Sequence, residues 1–405
     1  MTEACIAVCF SGCVFAAGYP FILYPAMLLA FARLCSRPRP PALDRHTPSV
    51  TIVVPVHNGE AFIGDKLANL LALDYPADNL QILVASDGST DATNDIVRQI
   101  ASPQVRLLAL PSHDGKNVAL NQAVATCTSE LVVVTDVDAL LARDALRRLA
   151  RWFAEPAVGG VVGRKLLHMN GNAMDRSQAT YNRYQELIKG AESRLYSTAM
   201  NEGKLHALRR RLYKPIPVGC MDDLHNLLSV VSQGYRFHFD PSAQASISIP
   251  SADATNEIER RRRIVNGSLK ALLQFPGLLN PFAHPRYSWM LWSQKVSRRT
   301  APFFMLAAIA TAGGWALHSR AGAWVFGGCS VLPVLALLVH ARVVPGLGRG
   351  GRIAKLFAVP YYFCLGNFGT MLGVCDLVMG RRNADRWIPR KRREPWPQGK
   401  VRASR

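Results

Sequence analysis

Among nine cysteines there is no CxxC pair and no zinc-like spacing. Zinc-finger and dithiol redox chemistry are excluded on that ground. Cys5, Cys9, Cys13, Cys329, Cys364 and Cys375 lie inside hydrophobic segments, where a free thiol packs as a small apolar group in a reducing compartment. Acid is also scarce: 28 Asp and Glu stand against 48 Lys and Arg, a net charge of +20. Such a balance favours anionic partners. The basic residues fall in blocks at Arg209–Arg211, Arg260–Arg263, Arg381–Arg382 and Arg390–Arg393. No nucleic-acid motif accompanies them and no stacking aromatics alternate with them, so nucleic acid is not an expected partner. Hydrophobic segments lie nearby, and a membrane surface is the expected one.

Hydrophobic residues make up 49% of the 405 positions, concentrated in the first 34 residues and the last hundred or so. Residues 4–32 carry no charge, and no basic n-region precedes them as in a signal peptide. The run exceeds the roughly 20 residues that span a bilayer. Residues 1–34 therefore read as a transmembrane anchor, which tolerates Pro20 and Pro25. Arg33, Arg37 and Arg39 follow it, so the positive-inside rule places the N-terminus outside and the next domain in the cytoplasm. Residues 35–48 hold four prolines and read as a stiff linker.

From there the pattern alternates. Apolar strands are expected at 50–56, 80–86, 105–110 and 131–136. Helices are expected at about 60–73, from near Thr90, and at about 116–125 and 143–153. That alternation predicts a parallel sheet covered on both faces. Residues 256–300 read as basic amphipathic helices at the membrane interface. Apolar segments at about 302–317, 322–341 and 353–379 place membrane helices within 301–380, followed by a basic tail over 381–405. Pro360, Gly366, Asn367 and Gly369 leave a re-entrant loop or tight hairpin open as an alternative to a third full crossing. The whole reads as a multi-pass inner-membrane protein with a cytoplasmic catalytic domain over 49–255.

The fourth strand, Leu131 to Thr135, runs straight into Asp136 and Asp138. In an open parallel sheet, ligands bind beyond the carboxyl ends of the strands. "PVHNGE" (55–60), "SDGSTD" (86–91) and "DVD" (136–138) all fall at that edge. Two carboxylates one residue apart can hold a divalent ion that also takes oxygens from a diphosphate. Taken singly, each stretch reads equally well as turn and cap chemistry.

In their order, "VPVHNGE", "SDGSTD", "GKNVALNQA", "DVDA" and "DDLHN" resemble family 2 glycosyltransferases of the GT-A fold. The likeness covers roughly 48–275, and the flanking apolar segments resemble the membrane-bound branch that builds exopolysaccharides and related cell-surface glycans. It implies a Rossmann-like α/β nucleotide-diphospho-sugar transferase domain with N- and C-terminal transmembrane helices. It also implies a nucleotide-sugar donor, expected to be a UDP-sugar, Mg2+ or Mn2+ as cofactor, and an inverting reaction. The acceptor is expected to be lipid-linked or a glycan, with a polyprenyl carrier favoured by the membrane location.

Carried over by residue, Pro55, His57, Asn58 and Glu60 would line the nucleotide pocket, Asp87 would contact the base, and Lys116 and Asn121 would lie near the nucleotide. Asp136 and Asp138 would be the metal pair, with Asp138 the direct ligand. Asp223 would be the catalytic base, with Asp222 beside it. Glu202, Gly203 and Arg209 match the acceptor-side segment, and Arg260 and Arg263 the diphosphate side. There the chain departs from the family. Processive members carry Gln-x-x-Arg-Trp, whereas this sequence has Arg260, Arg263 and Ile264. The departure favours a single addition over the alternative of a processive synthase. A further alternative is a non-catalytic membrane scaffold that keeps the fold.

Overall fold

The computed structural model describes residues 3–36, 40–42, 46–168, 173–248, 254–340 and 352–381. Two apolar helices open the chain, α1 (Glu3–Gly18) and α2 (Leu23–Leu34). Strands and helices then alternate: β1 (Val50–Val56), α3 (Glu60–Leu71), β2 (Leu80–Asp87), α4 (Thr93–Gln99), β3 (Val105–Leu110), α5 (Lys116–Ala125) and β4 (Leu131–Val134). The mixed region holds β5 (Ala139–Leu141), α6 (Ala145–Ala150), β6 (Val158–His168), α7 (Ala173–Leu195), β7 (His206–Arg209), α8 (Asp222–Ser232) and β8 (Arg236–Ser248). Five helices follow: α9 (Ala254–Leu273), α10 (Pro285–Leu291), α11 (Arg298–Ala316), α12 (Arg320–His340) and α13 (Arg352–Val378). A π-helical stretch, Trp292–Ser297, joins α10 to α11.

The strands form one sheet in the order β3-β2-β1-β4-β7-β6-β8-β5. β1 pairs in parallel with β2 and β4, and β2 with β3. The pairing turns antiparallel at β4–β7. Successive residues of a strand point to opposite faces, and the two apolar layers show it. Val53, Leu83, Ala85, Val132 and Val134 pack with Leu120 of α5 and Leu227 of α8. Ile52, Val54, Ile82, Val84 and Val133 pack on the other face with Ile63 and Leu67 of α3. Each such side chain stabilises the fold by about 1.5–3 kcal/mol on burial. A sheet buried on both faces leaves only its strand ends free to meet a ligand.

The N-terminal helices are built into this core. Tyr24, Leu28 and Ala32 of α2 are buried in the same layer as β4. The Tyr24 hydroxyl donates to Glu192 at 2.8 Å, and its ring meets Trp289 edge-on at 5.1 Å. Among the described residues, Arg320–Leu338 is long and apolar enough to cross a membrane. Glu3–Gly18 and Leu23–Leu34, bent by 51°, pass that test together as a broken span.

Residues Arg352–Val378 make one helix, with no re-entrant turn. Gly369 and Gly373 instead let α13 approach α9 closely, since a Cβ there would lie 2.9 Å from Arg261 Cβ and 2.8 Å from Val265 Cβ. The basic helix α9 is also clamped: both carboxylate oxygens of Asp376 accept from Arg262. Arg37, Arg39, the basic loop over 341–351 and the tail from 382 lie outside the described residues.

Candidate active site

β1 and β2 run side by side, so the turns that leave them meet. The Asn58 amide donates to Ser89 Oγ at 3.1 Å, and the Thr90 amide donates to Asn58 Oδ1 at 2.8 Å. The Glu60 amide donates to Asp91 at 3.0 Å and Glu60 Oε2 accepts from the Ala92 amide at 3.1 Å. Asn58 and Glu60 thus bolt the first turn to the second. Asn58 takes φ of 49°, a left-handed conformation that asparagine tolerates better than most residues. Pro55 is buried within β1, opposite Ala85.

Asp87, at the end of β2, is buried and organises the third loop. Its two carboxylate oxygens accept from the amides of Asp114 and Gly115, each at 2.9 Å. His113 Nδ1 lies 2.8 Å from the same carboxylate, and its ring stacks on His57 with centroids 3.8 Å apart. Gly88 permits this closeness, because a Cβ there would sit 2.5 Å from the His113 nitrogen. Asp87 is an organiser of backbone, and the paired imidazoles form a flat surface at the strand ends, suited to stacking.

β4 stops at Val134, earlier than the expected 136, and Asp136 to Asp138 form a turn. Their carboxylates are held by ammonium groups. Lys204 Nζ reaches Asp136 Oδ2 at 2.7 Å and Asp138 Oδ1 at 2.9 Å. Lys116 Nζ reaches Asp136 Oδ1 and Asp222 Oδ2, each at 2.9 Å. Burial works to raise the Asp136 carboxyl, but Lys116 and Lys204 overcome it and hold the group well below the usual carboxylate range. Beneath the turn, fully buried Lys66 donates to Thr135 Oγ1 at 3.0 Å and to the Ala139 carbonyl.

The second acidic pair starts α8. Asp223 is buried, and its Oδ1 accepts from the Leu224 amide at 2.6 Å. Burial first, and the neighbouring Asp222 charge second, push its carboxyl up to about 7. Gly203, at φ of 69°, lies against it: a Cβ there would be 3.3 Å from Asp223 Oδ2. Asn201 Nδ2 donates to the Asp223 carbonyl at 3.0 Å. Glu202 turns away to Lys189 and Lys165, both at 2.9 Å. Burial would raise its carboxyl, but these two amines take it down to about 2.

Asp136, Asp138, Asp222, Asp223, Lys116 and Gly203 therefore come together at one edge. Four expected residues are placed or engaged otherwise. Arg209 pairs in register with Leu131, at the start of β4, about 16 Å along the strand from Asp136. There it donates to the carbonyls of Val158 and Phe153 and pairs with Glu130, so it braces the opposite edge. The Asn121 side chain is spent on the 213–216 loop, accepting from Tyr213 and the Ile216 amide and donating to the Ile216 carbonyl. Arg260 is exposed on α9 and Arg263 half-buried, while the α9 residue that meets the Asp222 loop is Gly267, whose carbonyl accepts from Met221 at 3.0 Å. The motifs by themselves assign no role to Lys204, His113 or Lys66. Lys204 stands directly after Gly203, and that adjacency was the one available signal.

Among the described residues, no three His, Cys, Asp or Glu side chains cluster as a metal cage. Asp136 and Asp138 nevertheless converge on one cationic point, where the Lys204 ammonium stands in the place of a cation. Two carboxylates that leave other positions to diphosphate and water suit a hard divalent ion.

A mixed α/β sheet with its charged loops at the carboxyl strand ends is built to bind its ligand at that edge. Residues 51–216 match the family described as glycosyl transferase family 2. Over that stretch, somewhat under half of the chain, the residues form a family 2 glycosyltransferase domain. A mannosyltransferase from Pyrobaculum calidifontis, solved with GDP-Man and Mn2+, shares the fold. It superposes with TM-score 0.71 at 24% identity, over 93% of this chain and all of that one. A beta-monoglucosyldiacylglycerol synthase from Synechocystis is 36% identical over 124 residues, 30% of this chain and 26% of that protein. An N-acetylglucosaminyltransferase from Rhizobium leguminosarum is 25% identical over 280 residues, 63% of this chain and 66% of that protein. The chain thus spans less than two thirds of the length of these curated relatives.

Proposed function

We propose that the protein moves one sugar, with inversion, from a nucleotide sugar to a polyprenyl-linked acceptor at the membrane during cell-surface polysaccharide synthesis. A UDP-sugar is the proposed donor. The observation that carries the reading is the meeting of two acidic pairs through one lysine: Lys116 touches Asp136 on one side and Asp222 on the other. One pair is compensated by cations and suits a diphosphate. The other holds a carboxyl whose affinity for protons suits a base.

In this reading the nucleotide lies along the β1 and β2 turns, against the His57–His113 stack and the loop that Asp87 organises. Asp138, with Asp136, would hold Mg2+ or Mn2+, which when bound would neutralise charge on the departing diphosphate. Asp223 takes the proton of the acceptor hydroxyl as that oxygen bonds to the anomeric carbon and the carbon–diphosphate bond breaks. Attack from the face opposite the leaving group inverts the configuration. Lys116 and Lys204 supply fixed positive charge where negative charge accumulates.

The membrane location rests on α1, α2, α11 and α12. Val8, Ile22, Leu34, Leu317, Trp324 and Leu337 on or beside these helices are exposed, more apolar surface than a water-soluble face carries. Proposed orientation puts the domain on the cytoplasmic face of the inner membrane. Ile264, in place of a synthase's Trp, supports a single addition. The test is nucleoside diphosphate release in native membranes with UDP- and GDP-sugars, Mn2+ or Mg2+, and lipid extract. Release by wild type that vanishes in Asp223→Asn is the expected result. Equal release by both proteins would remove the reading.

A further inference from the structure

The charge of the Asp136–Asp138 turn is balanced by the chain itself. Both oxygens of Asp136 are taken, Oδ1 by Lys116 at 2.9 Å and Oδ2 by Lys204 at 2.7 Å. Lys204 Nζ also reaches Asp138 Oδ1 at 2.9 Å, so one ammonium bridges the two carboxylates proposed to hold a divalent ion. A dication set on those same oxygens beside it would press like charges together in a partly buried site, which is costly. One cation has to yield.

The three nearby amines differ in how they are tied. Lys116 is held on its far side by Asp222 Oδ2 at 2.9 Å. Lys66 is fully buried and donates to Thr135 Oγ1 and the Ala139 carbonyl. Lys204 is fastened through its backbone. Thr135 Oγ1 donates to its carbonyl at 2.8 Å, and Gly203 before it lies against Asp223. The side chain is a flexible four-carbon stem, 16% exposed, and it can turn about that fixed point without moving the loop. A turned ammonium needs a new anion, because an uncompensated charge in such a place is destabilising. The donor's diphosphate brings one to the same edge, and an ammonium binds phosphate as a point charge.

We propose that Lys204 is an exchangeable counter-ion: its ammonium holds the seat between Asp136 and Asp138 and passes to the donor's diphosphate when a divalent ion takes that seat. The assignment rests on the nucleotide-sugar and metal reading above and deepens it. The lysine's charge stays at the sheet edge; what changes is the anion it faces. A divalent ion alone must evict the ammonium from both carboxylates, so it binds weakly. With the diphosphate present the evicted ammonium has a partner, and each ligand strengthens the other by the same factor.

The test uses the full chain in detergent with Mn2+, UDP and uridine as probes, and reads bound Mn2+ by electron paramagnetic resonance. Lys204→Met removes the charge and keeps the bulk of the stem. It should bind Mn2+ alone about tenfold tighter than wild type, and UDP should strengthen its Mn2+ binding less. Lys204→Arg keeps the charge and should stay close to wild type. Uridine, which lacks the diphosphate, should strengthen Mn2+ binding in none of them. A second readout needs no variant. Acylation of Lys204 by an amine-directed reagent, followed by peptide mass spectrometry, should be slow in wild type alone. It should quicken with saturating Mn2+ and slow again with Mn2+ and UDP together. Wild-type Mn2+ affinity in Lys204→Met, or one acylation rate in all three conditions, would overturn the exchange while Asp138-dependent Mn2+ binding kept the metal reading. Mn2+ binding that survives Asp138→Asn, or no binding even with UDP, would remove the metal reading and the exchange with it.

Discussion

Asp136 with Asp138 and Asp222 with Asp223 are the same chemistry twice, yet their surroundings drive them apart. The first pair is wrapped by Lys116 and Lys204, and Asp136 stays ionised far below the ordinary range. In the second pair Lys116 reaches Asp222, while Asp223 is left with burial and a like charge beside it and rises to about 7. Residue type does not assign a role. The distribution of two lysines around four carboxylates does, because a shared lysine stabilises the charged form of whichever oxygens it touches.

The largest effect is expected from Asp223→Asn, which keeps the shape and removes the proton acceptor. Turnover should fall about 10²–10⁴-fold with the donor KM little changed, as steady-state kinetics would show. If Asp222→Asn is the more damaging change, the two members have been assigned in the wrong order. Next comes the compensated pair. Asp138→Asn, or chelation of divalent ions, should lower turnover about 10²–10³-fold, the scale of losing one charge-stabilising group. Restoration by Mn2+ after chelation, but not in the variant, would tie the loss to that carboxylate.

The pH profile separates the pairs directly. Asp223 must be deprotonated to accept a proton, so kcat/KM should rise with pH and level off above about 7. Asp222 is one cause of the raised value, so Asp222→Asn should move the inflection to lower pH. A profile flat from pH 5 to 8 would break the contrast. A smaller effect is expected of Gly203→Ala. The left-handed φ of 69° costs about 1 kcal/mol for a side chain, and the new Cβ would press on Asp223. Thermal melts should show the loss, with turnover down several-fold. Smallest on catalysis is Arg209→Ala. It should lower stability by about 1–3 kcal/mol through its stranded carbonyl partners, with acceptor KM unchanged. A raised acceptor KM would return Arg209 to the acceptor side.

Much of this was legible in the chain. The alternation of apolar runs placed β1 to β3 and α5 within a residue or two, because two-sided burial demands continuous apolar strands. The acidic motifs were equally plain, since few structural needs put paired carboxylates at a strand end. Lys204 was not legible, although it stands in the middle of a motif, because its meaning is a distance to Asp136 and Asp138, 68 and 66 residues earlier. Asn121 and Arg209 carried the right chemistry for a site, yet both were drawn into bracing loops. Their orientation depends on which backbone groups the fold leaves in need of a partner.

Composition and order along the chain were enough to specify a doubly covered sheet, an acidic edge and apolar flanking helices, because hydrophobic periodicity and turn chemistry act locally. Which lysine neutralises which carboxylate, why the Asp223 carboxyl is pushed up to about 7, and how Tyr24 of α2 comes to donate to Glu192 emerged only on folding. Those outcomes are sums of burial and charge over residues that are distant in the chain and a few ångströms apart in space.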